Sequence, residues 1–234
     1  MKYIKFLLLF LLFSINIFSF KLAPDYFDKR VDGKGSSQEI TFWNDSTETV
    51  RYRVYIDKSE EQNIDISKWV EVYPQIITIK PKSSSKVRIF AKVPTEASPG
   101  EGEFYFGVKT LSLPRTESGK GSQVSMPINL RIKMYGYNGQ IKQNVSLKDY
   151  QFSKVGDTLN FKGNFINNTE NSSIKSQVVL MGNRTNESFR TGRIKKGTFA
   201  FDIPLKKFKN AKNIEEIVII DEMTKERIQR IKLK

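Results

Sequence analysis

Between Val124 and Met134 every second residue is apolar: Val124, Met126, Ile128, Leu130, Ile132 and Met134 alternate with polar neighbours that include Arg131 and Lys133. A period of two places these side chains on one face of an extended strand. The same alternation runs through "SSQEITFWN", with Ile40 and Phe42, and through "TVRYRVYID", with Val50, Tyr52, Val54 and Ile56. "QIITIKP", "SKVRIFAKVP" and "GEFYFGVKTLSLP" are short β-branched and aromatic runs, each punctuated by proline or glycine. A second series follows the turn dipeptide Asn138-Gly139: "TLNFKGNFIN", "IKSQVVLMG", "GTFAFDIP", "EEIVIID" and "RIQRIKL". No comparable segment shows a 3.6-residue period with helix caps. The pattern therefore predicts an all-β chain of two antiparallel sandwiches, divided near Tyr137 to Gln140. "PRTESGKGSQ", Pro114 to Gln123, reads as a polar loop between strands.

The amino terminus is built differently. Lys2 and Lys5 precede an unbroken apolar run from Phe6 to Phe13, followed by Ser14 and Ser19. That order predicts a secretory signal peptide over residues 1–19, cleaved after Ser19. An uncleaved membrane anchor fits less well, because Ser14 and Asn16 interrupt the run before a span of about 20 residues is reached. The domains are thus expected at 20–137 and 138–234. The chain has no cysteine, so an exported fold rests on its packed core rather than on disulfides, and a lipoprotein anchor is ruled out.

Charge changes the picture less than its size suggests. Lys and Arg number 39 against 25 Asp and Glu, a formal net charge of +14. Such a balance suits phosphate neutralisation, but the basic residues are spread without a dense run and the chain is read as exported. A nucleic-acid partner is therefore set aside in favour of a solvated basic surface. Enzyme chemistry is narrowed further. Without His or Cys the commonest acid–base residue, the thiol nucleophile and the usual zinc ligands are missing. Carboxylates at Asp221, Glu222 and Glu226, or at Glu60, Glu61 and Asp65, read as solvated turns, so neither catalytic residues nor a metal or cofactor is expected.

Pro127 sits inside the alternating run. Alternation alone fits an ordinary core strand, but proline has no N–H and belongs on an edge, where a row of apolar side chains is a docking surface. Three stretches then carry a resemblance. "VYPQIITIKPKSSSKVRIFAKVP", "GEFYFGVKTLSLP" and "INLRIKMYGY" resemble, in order, consecutive strands of the periplasmic pilus-assembly chaperones of the usher pathway, PapD-like proteins of two immunoglobulin-like β-sandwich domains joined by a short hinge. The resemblance covers the first domain, about half of the chain. It implies that the last strand of this domain lends Val124, Met126, Ile128 and Leu130 to an incomplete pilin-like subunit. It also implies that Lys133, from the cleft between the domains, grips the subunit's C-terminal carboxylate. In the family an arginine of the first strand assists. Alignment on "EITFWN" brings that position to Asp28, with Arg30 as the nearest arginine. The family's Arg-Pro after the aromatic is replaced here by Tyr137 and Asn138.

The resemblance implies a periplasmic, non-enzymatic protein whose partners are pilin-like secreted subunits and an outer-membrane usher, without stable membrane insertion after cleavage. Two other readings stay open on the residues alone. One is a secreted immunoglobulin-like adhesive module with the apolar stripe in its core. The other is an envelope-binding module whose contact face includes Lys195, Lys196, Lys206, Lys207 and Lys209.

Overall fold

The computed structural model describes residues 20–60, 64–112 and 127–233. The expected signal segment, the polar loop before the quoted strand, and Val124 and Met126 lie outside the described residues. The fold is all-β, with two immunoglobulin-like sandwiches. Its helical content among the described residues is two single turns of 3-10 helix, Ser67–Trp69 and Ala211–Asn213.

The chain divides into two compact units. One comprises the chain up to Thr95 together with Glu103–Gly136, and the other comprises Glu96–Gly102 and Tyr137–Lys234. The first unit's strands are β1 (Phe20–Ala23), β2 (Asp28–Arg30), β3 (Ser36–Asn44), β4 (Val50–Lys58), β5 (Ile64–Asp65), β6 (Val70–Tyr73), β7 (Ile76–Ile79), β8 (Ser83–Ala91), β9 (Gly100–Thr110) and β10 (Asn129–Asn138). They form one sheet in the order β1-β3-β8-β6 and a second in the order β2-β10-β9-β4-β7, with β5 beside β9; the opening Gly100–Gly102 of β9 and the closing Tyr137 and Asn138 of β10 are counted with the second unit. Alternation delivers the core that the sequence pattern predicts: Ile40 and Phe42 from β3, Val54 from β4, Val87 and Ile89 from β8 and Phe106 from β9 are fully buried. Gly107 of β9 lies beneath the Tyr55 ring of β4; a Cβ there would come within 2.2 Å of the ring. The ring occupies the space that a side chain at 107 would need.

The second unit contains β11 (Val145–Val155), β12 (Thr158–Asn167), β13 (Ile174–Met181), β14 (Asn186–Ile194), β15 (Gly197–Pro204), β16 (Glu216–Asp221) and β17 (Arg227–Lys232). Their sheets are ordered β11-β12-β15 and β14-β13-β16-β17. Phe161 and Phe165 of β12, Val178 and Leu180 of β13 and Ile217 and Ile219 of β16 close the core, each fully buried. The Asn138-Gly139 dipeptide is a turn with a job. Asn138 is buried and its amide donates to the carbonyls of Ala97 and Ser98, while Gly139 takes φ +67° against Pro99. Segment 96–102 is thereby fastened into this unit, and Glu101 completes the attachment. Its carboxylate, 5% exposed, is gripped by Arg193 of β14 and by the Ser173 hydroxyl at 2.7 Å; Arg193 also donates to the Tyr137 hydroxyl at 2.9 Å. Burial is the main cause that pushes the Tyr137 phenol well above its usual range.

Among the described residues no helix is long and apolar enough to cross a membrane.

Candidate functional site

β10 begins where the apolar stripe is only half-covered and ends where it is core. Ile128, just ahead of it, and Leu130 and Ile132 are half-buried, whereas Met134 is fully buried. Pro127 is exposed. The next even position, Gly136, has no room for a side chain, since a Cβ would lie 2.7 Å from Ile66 Cδ1 and 2.9 Å from both methyls of Val31.

The two edges of β10 are covered unequally. On one side β9 runs along it, and Ile128 is tied to Thr110 twice: its carbonyl accepts from the Thr110 N–H at 3.0 Å, and its N–H donates to Thr110 Oγ1 at 2.9 Å. On the other side the neighbour is β2, three residues long against ten. The bond from Tyr135 N–H to the Phe27 carbonyl, 2.9 Å, places β2 at the far end. Among the described residues the Asn129 end of β10 therefore has a strand on one side only, which leaves a row of backbone donors and acceptors open to an added strand.

Odd-numbered residues of β10 form a polar face with β9. The Arg131 guanidinium lies 4.4 Å from the Tyr105 ring centre, with Asp57 at 3.1 Å and Glu60 at 2.6 Å. The hydrogen bond to Glu60 is the largest cause raising its already high pKa. Lys133 points its ammonium at Glu103 of β9, 3.5 Å from Oε2, and 5.6 Å from the Tyr105 ring. The lysine side chain is 20% exposed and the carboxylate 1% exposed. Ser59 Oγ also donates to Glu103 Oε2, at 3.1 Å. Lys133 is thus a cation at the margin of the interior, held by a buried anion.

Arg30 has a different setting. It is exposed on β2 and forks onto Asp32, Nε to Oδ1 at 3.2 Å and Nη2 to Oδ2 at 2.6 Å. That hydrogen bond is the main cause raising its pKa. Arg30 and Lys133 stand on neighbouring strands, but each holds its own carboxylate. Its neighbour Lys29 is directed at the Ser37 carbonyl, 2.7 Å away.

Sequence reasoning overlooked Glu103 and Ser59. The available signal was compositional: in "GEGEFYFGV" two glutamates interrupt a strand that otherwise reads as continuously apolar, and a buried carboxylate calls for a cation on the adjoining strand.

Comparison with known proteins adds the following. Residues 30–135 match the family model described as pili and flagellar-assembly chaperone, PapD N-terminal domain. The chain has no significant match among curated proteins. Among solved structures it is similar to the E. coli chaperone DraB, with 16% identity over 93% of this chain and 96% of that one and a TM-score of 0.45. It is also similar to a structure of the Salmonella enterica SafA pilin in complex with the SafB chaperone, with 12% identity over 93% and 97% and a TM-score of 0.45. A third is the Pseudomonas aeruginosa CupB2 chaperone, with 14% identity over 91% and 100% and a TM-score of 0.39.

Proposed function

Through residues 30–135 the chain belongs to the pili and flagellar-assembly chaperones, and from that premise we propose that it captures pilin-like subunits by lending them a strand and hands them to an outer-membrane usher. The observation that carries the reading is the one-sided pairing of β10 at its Asn129 end, beside the half-buried Ile128 and Leu130. A subunit lacking one strand of its own sandwich gains two things there: ladder bonds from the open edge, and burial of alternate apolar side chains at roughly 1.5–3 kcal/mol each. Val124, Met126, Ile128 and Leu130 are the proposed donor residues.

Lys133 is the proposed anchor for the subunit's C-terminal carboxylate. An ammonium carries three donors, so a lysine that holds Glu103 can share itself with a second carboxylate or exchange one for the other. Arg30 is the proposed second cation, which must leave Asp32 to take part. The reading places the protein in the periplasm, after removal of residues 1–19 as a signal peptide, and gives it no catalytic role.

Affinity capture of the tagged chain from periplasm tests the proposal. The expected co-purifying species is a secreted subunit deficient in one strand, retained by the native protein and lost with Ile128→Asp. Recovery of anionic glycolipid in its place, indifferent to Ile128→Asp, would support an envelope-binding module instead.

A further inference from the structure

Strand edges in the second unit are guarded to different degrees. β11 carries Lys148 and Lys154 and an irregular register between Lys148 and Gln151; β14 carries Arg190 and Arg193; β17 carries Arg227, Arg230 and Lys232. Such charges and bulges discourage edge-to-edge pairing. β15, "GTFAFDIP", has neither lysine nor arginine and a regular register, and among the described residues β12 is its single neighbour in the sheet. Gly197 through Ala200 are consecutively exposed, with Phe199 at 44%. Phe201, on the same face, packs against Phe161, Phe165 and Phe189 with ring centres 5.1, 4.9 and 5.8 Å away. Phe199 is therefore the uncovered end of an aromatic cluster.

The backbone shows which groups face outward. The Leu205 N–H donates to the Leu159 carbonyl at 2.8 Å, continuing the register in which Ile203 lies opposite Phe161 and Phe199 opposite Phe165. Bonded and non-bonded pairs alternate in an antiparallel ladder, so odd-numbered residues of β15 bond to β12. The carbonyls of Thr198, Ala200 and Asp202 and their N–H groups point away from the sheet. Pro204 shares that parity, with its missing N–H on the open side as an edge proline requires.

We propose that this edge is a self-complementary dimer interface, in which β15 pairs antiparallel with β15 of a second copy about a two-fold axis at Phe199. The parity above limits a symmetric pairing to registers that bring even-numbered residues opposite each other. With the axis at Phe199, Asp202 of each copy comes opposite Lys196 of the other, the exposed residue at the bend immediately before β15, whose ammonium reaches Glu170 within its own copy and would turn to Asp202 on pairing; Phe201 falls opposite Gly197, which has no side chain to obstruct it, and the two Phe199 rings meet. With the axis at Ala200, Asp202 faces Thr198 and Lys196 faces Pro204, so no charge is matched. Charge complementarity therefore selects both the occupant, a second copy, and the register. Pairing covers the exposed phenylalanine and satisfies the outward backbone groups together.

Sedimentation velocity of the processed chain over the micromolar range tests this. The expected result is a dimer that grows with concentration. Asp202→Lys and Lys196→Asp should each raise the midpoint concentration on the order of tenfold or more, and the double exchange Asp202→Lys/Lys196→Asp should restore it. Within one copy Lys196 also pairs with Glu170 at 2.8 Å and Asp202 accepts from the Asn160 amide at 2.8 Å, both at exposed positions, so unfolding transitions should shift only slightly and are measured beside the midpoints to separate the loss of these contacts from the loss of the dimer. A second readout exploits the absence of cysteine from the chain. On oxidation Phe199→Cys should give a covalent dimer, because residue 199 lies opposite itself in a closely spaced non-bonded pair, whereas Ala200→Cys should not. A chain that stays monomeric, a dimer indifferent to both exchanges, or equal cross-linking at 199 and 200 would each overturn the proposal.

Discussion

Lys133 on β10 and Glu103 on β9 form an ion pair in which the anion is buried and the cation is one-fifth exposed, with Nζ 3.5 Å from Oε2. A lysine that served only to grip a subunit's carboxylate could be removed at little cost to stability. The pair with Glu103 changes that. Lys133→Ala strands a buried carboxylate, and loss of one member of a fully buried pair costs roughly 3–5 kcal/mol; partial exposure of the lysine brings the expected loss to about 2–3 kcal/mol. Glu103→Gln should cost less, since the amide still accepts from Ser59, and the double variant should recover part of the Lys133→Ala loss. Urea unfolding of the four proteins gives the coupling. Subunit-carboxylate anchoring is then measured in the Glu103→Gln background, where the lysine is present and its internal carboxylate is not.

The two ends of the stripe should respond oppositely to one substitution. Ile128→Asp alters a half-buried side chain beside the open edge and should leave the unfolding transition nearly in place while abolishing subunit capture. Met134→Asp introduces a charge at a fully buried position and should destabilise the first unit by several kcal/mol, visible as loss of the cooperative near-ultraviolet transition.

Gly107→Val should destabilise through overpacking by about 1–3 kcal/mol, because the new Cβ meets the Tyr55 ring. Tyr55→Ala removes that ring, so thermal melts should show the second substitution offsetting part of the first.

The Glu216–Arg230 pair in the second unit provides a pH signature. Arg230 binds the carboxylate through Nε at 2.8 Å and Nη2 at 2.5 Å, and that hydrogen bonding is the main cause holding Glu216 below the ordinary value of 4.5. A depressed carboxylate pKa means that the unfolded chain binds the proton more readily. The contribution is therefore present above the unfolded pKa and lost as pH falls through the lower folded one. The native protein should exceed Arg230→Gln in urea midpoint at neutral pH, and the gap should close on acidification below 4.5. A gap that widens in acid would contradict the assignment.

Strong period-two segments were legible as strands. "TLNFKGNFIN" is β12 in full, and "GTFAFDIP" is β15 residue for residue. β14, "NESFRTGRI", escaped because its partly covered face carries Glu187 and Thr191 beside Phe189, so polarity masks the alternation. β11 escaped because the left-handed Asp149 and the register shift break its period. At the candidate site the stripe and Lys133 could be read from one strand. The two glutamates of "GEGEFYFGV" stand out by composition, but that Glu103 is the one facing Lys133 could not be read, because it is decided by the pairing of β9 with β10, a long-range register absent from local pattern.

The fastening of Glu96–Gly102 into the second unit bears on how this gene can be cut and recombined. A fragment starting at Tyr137 would contain every strand from β11 to β17 and still lack Glu101, leaving Arg193 and Tyr137 around an empty carboxylate position. The second unit is not a portable cassette. Grafting it onto another protein, or exchanging it between relatives by a single crossover, would separate an arginine from an acid 92 positions upstream. Only an exchange that carries both pieces, or that supplies an equivalent acid from the new host, preserves its interior.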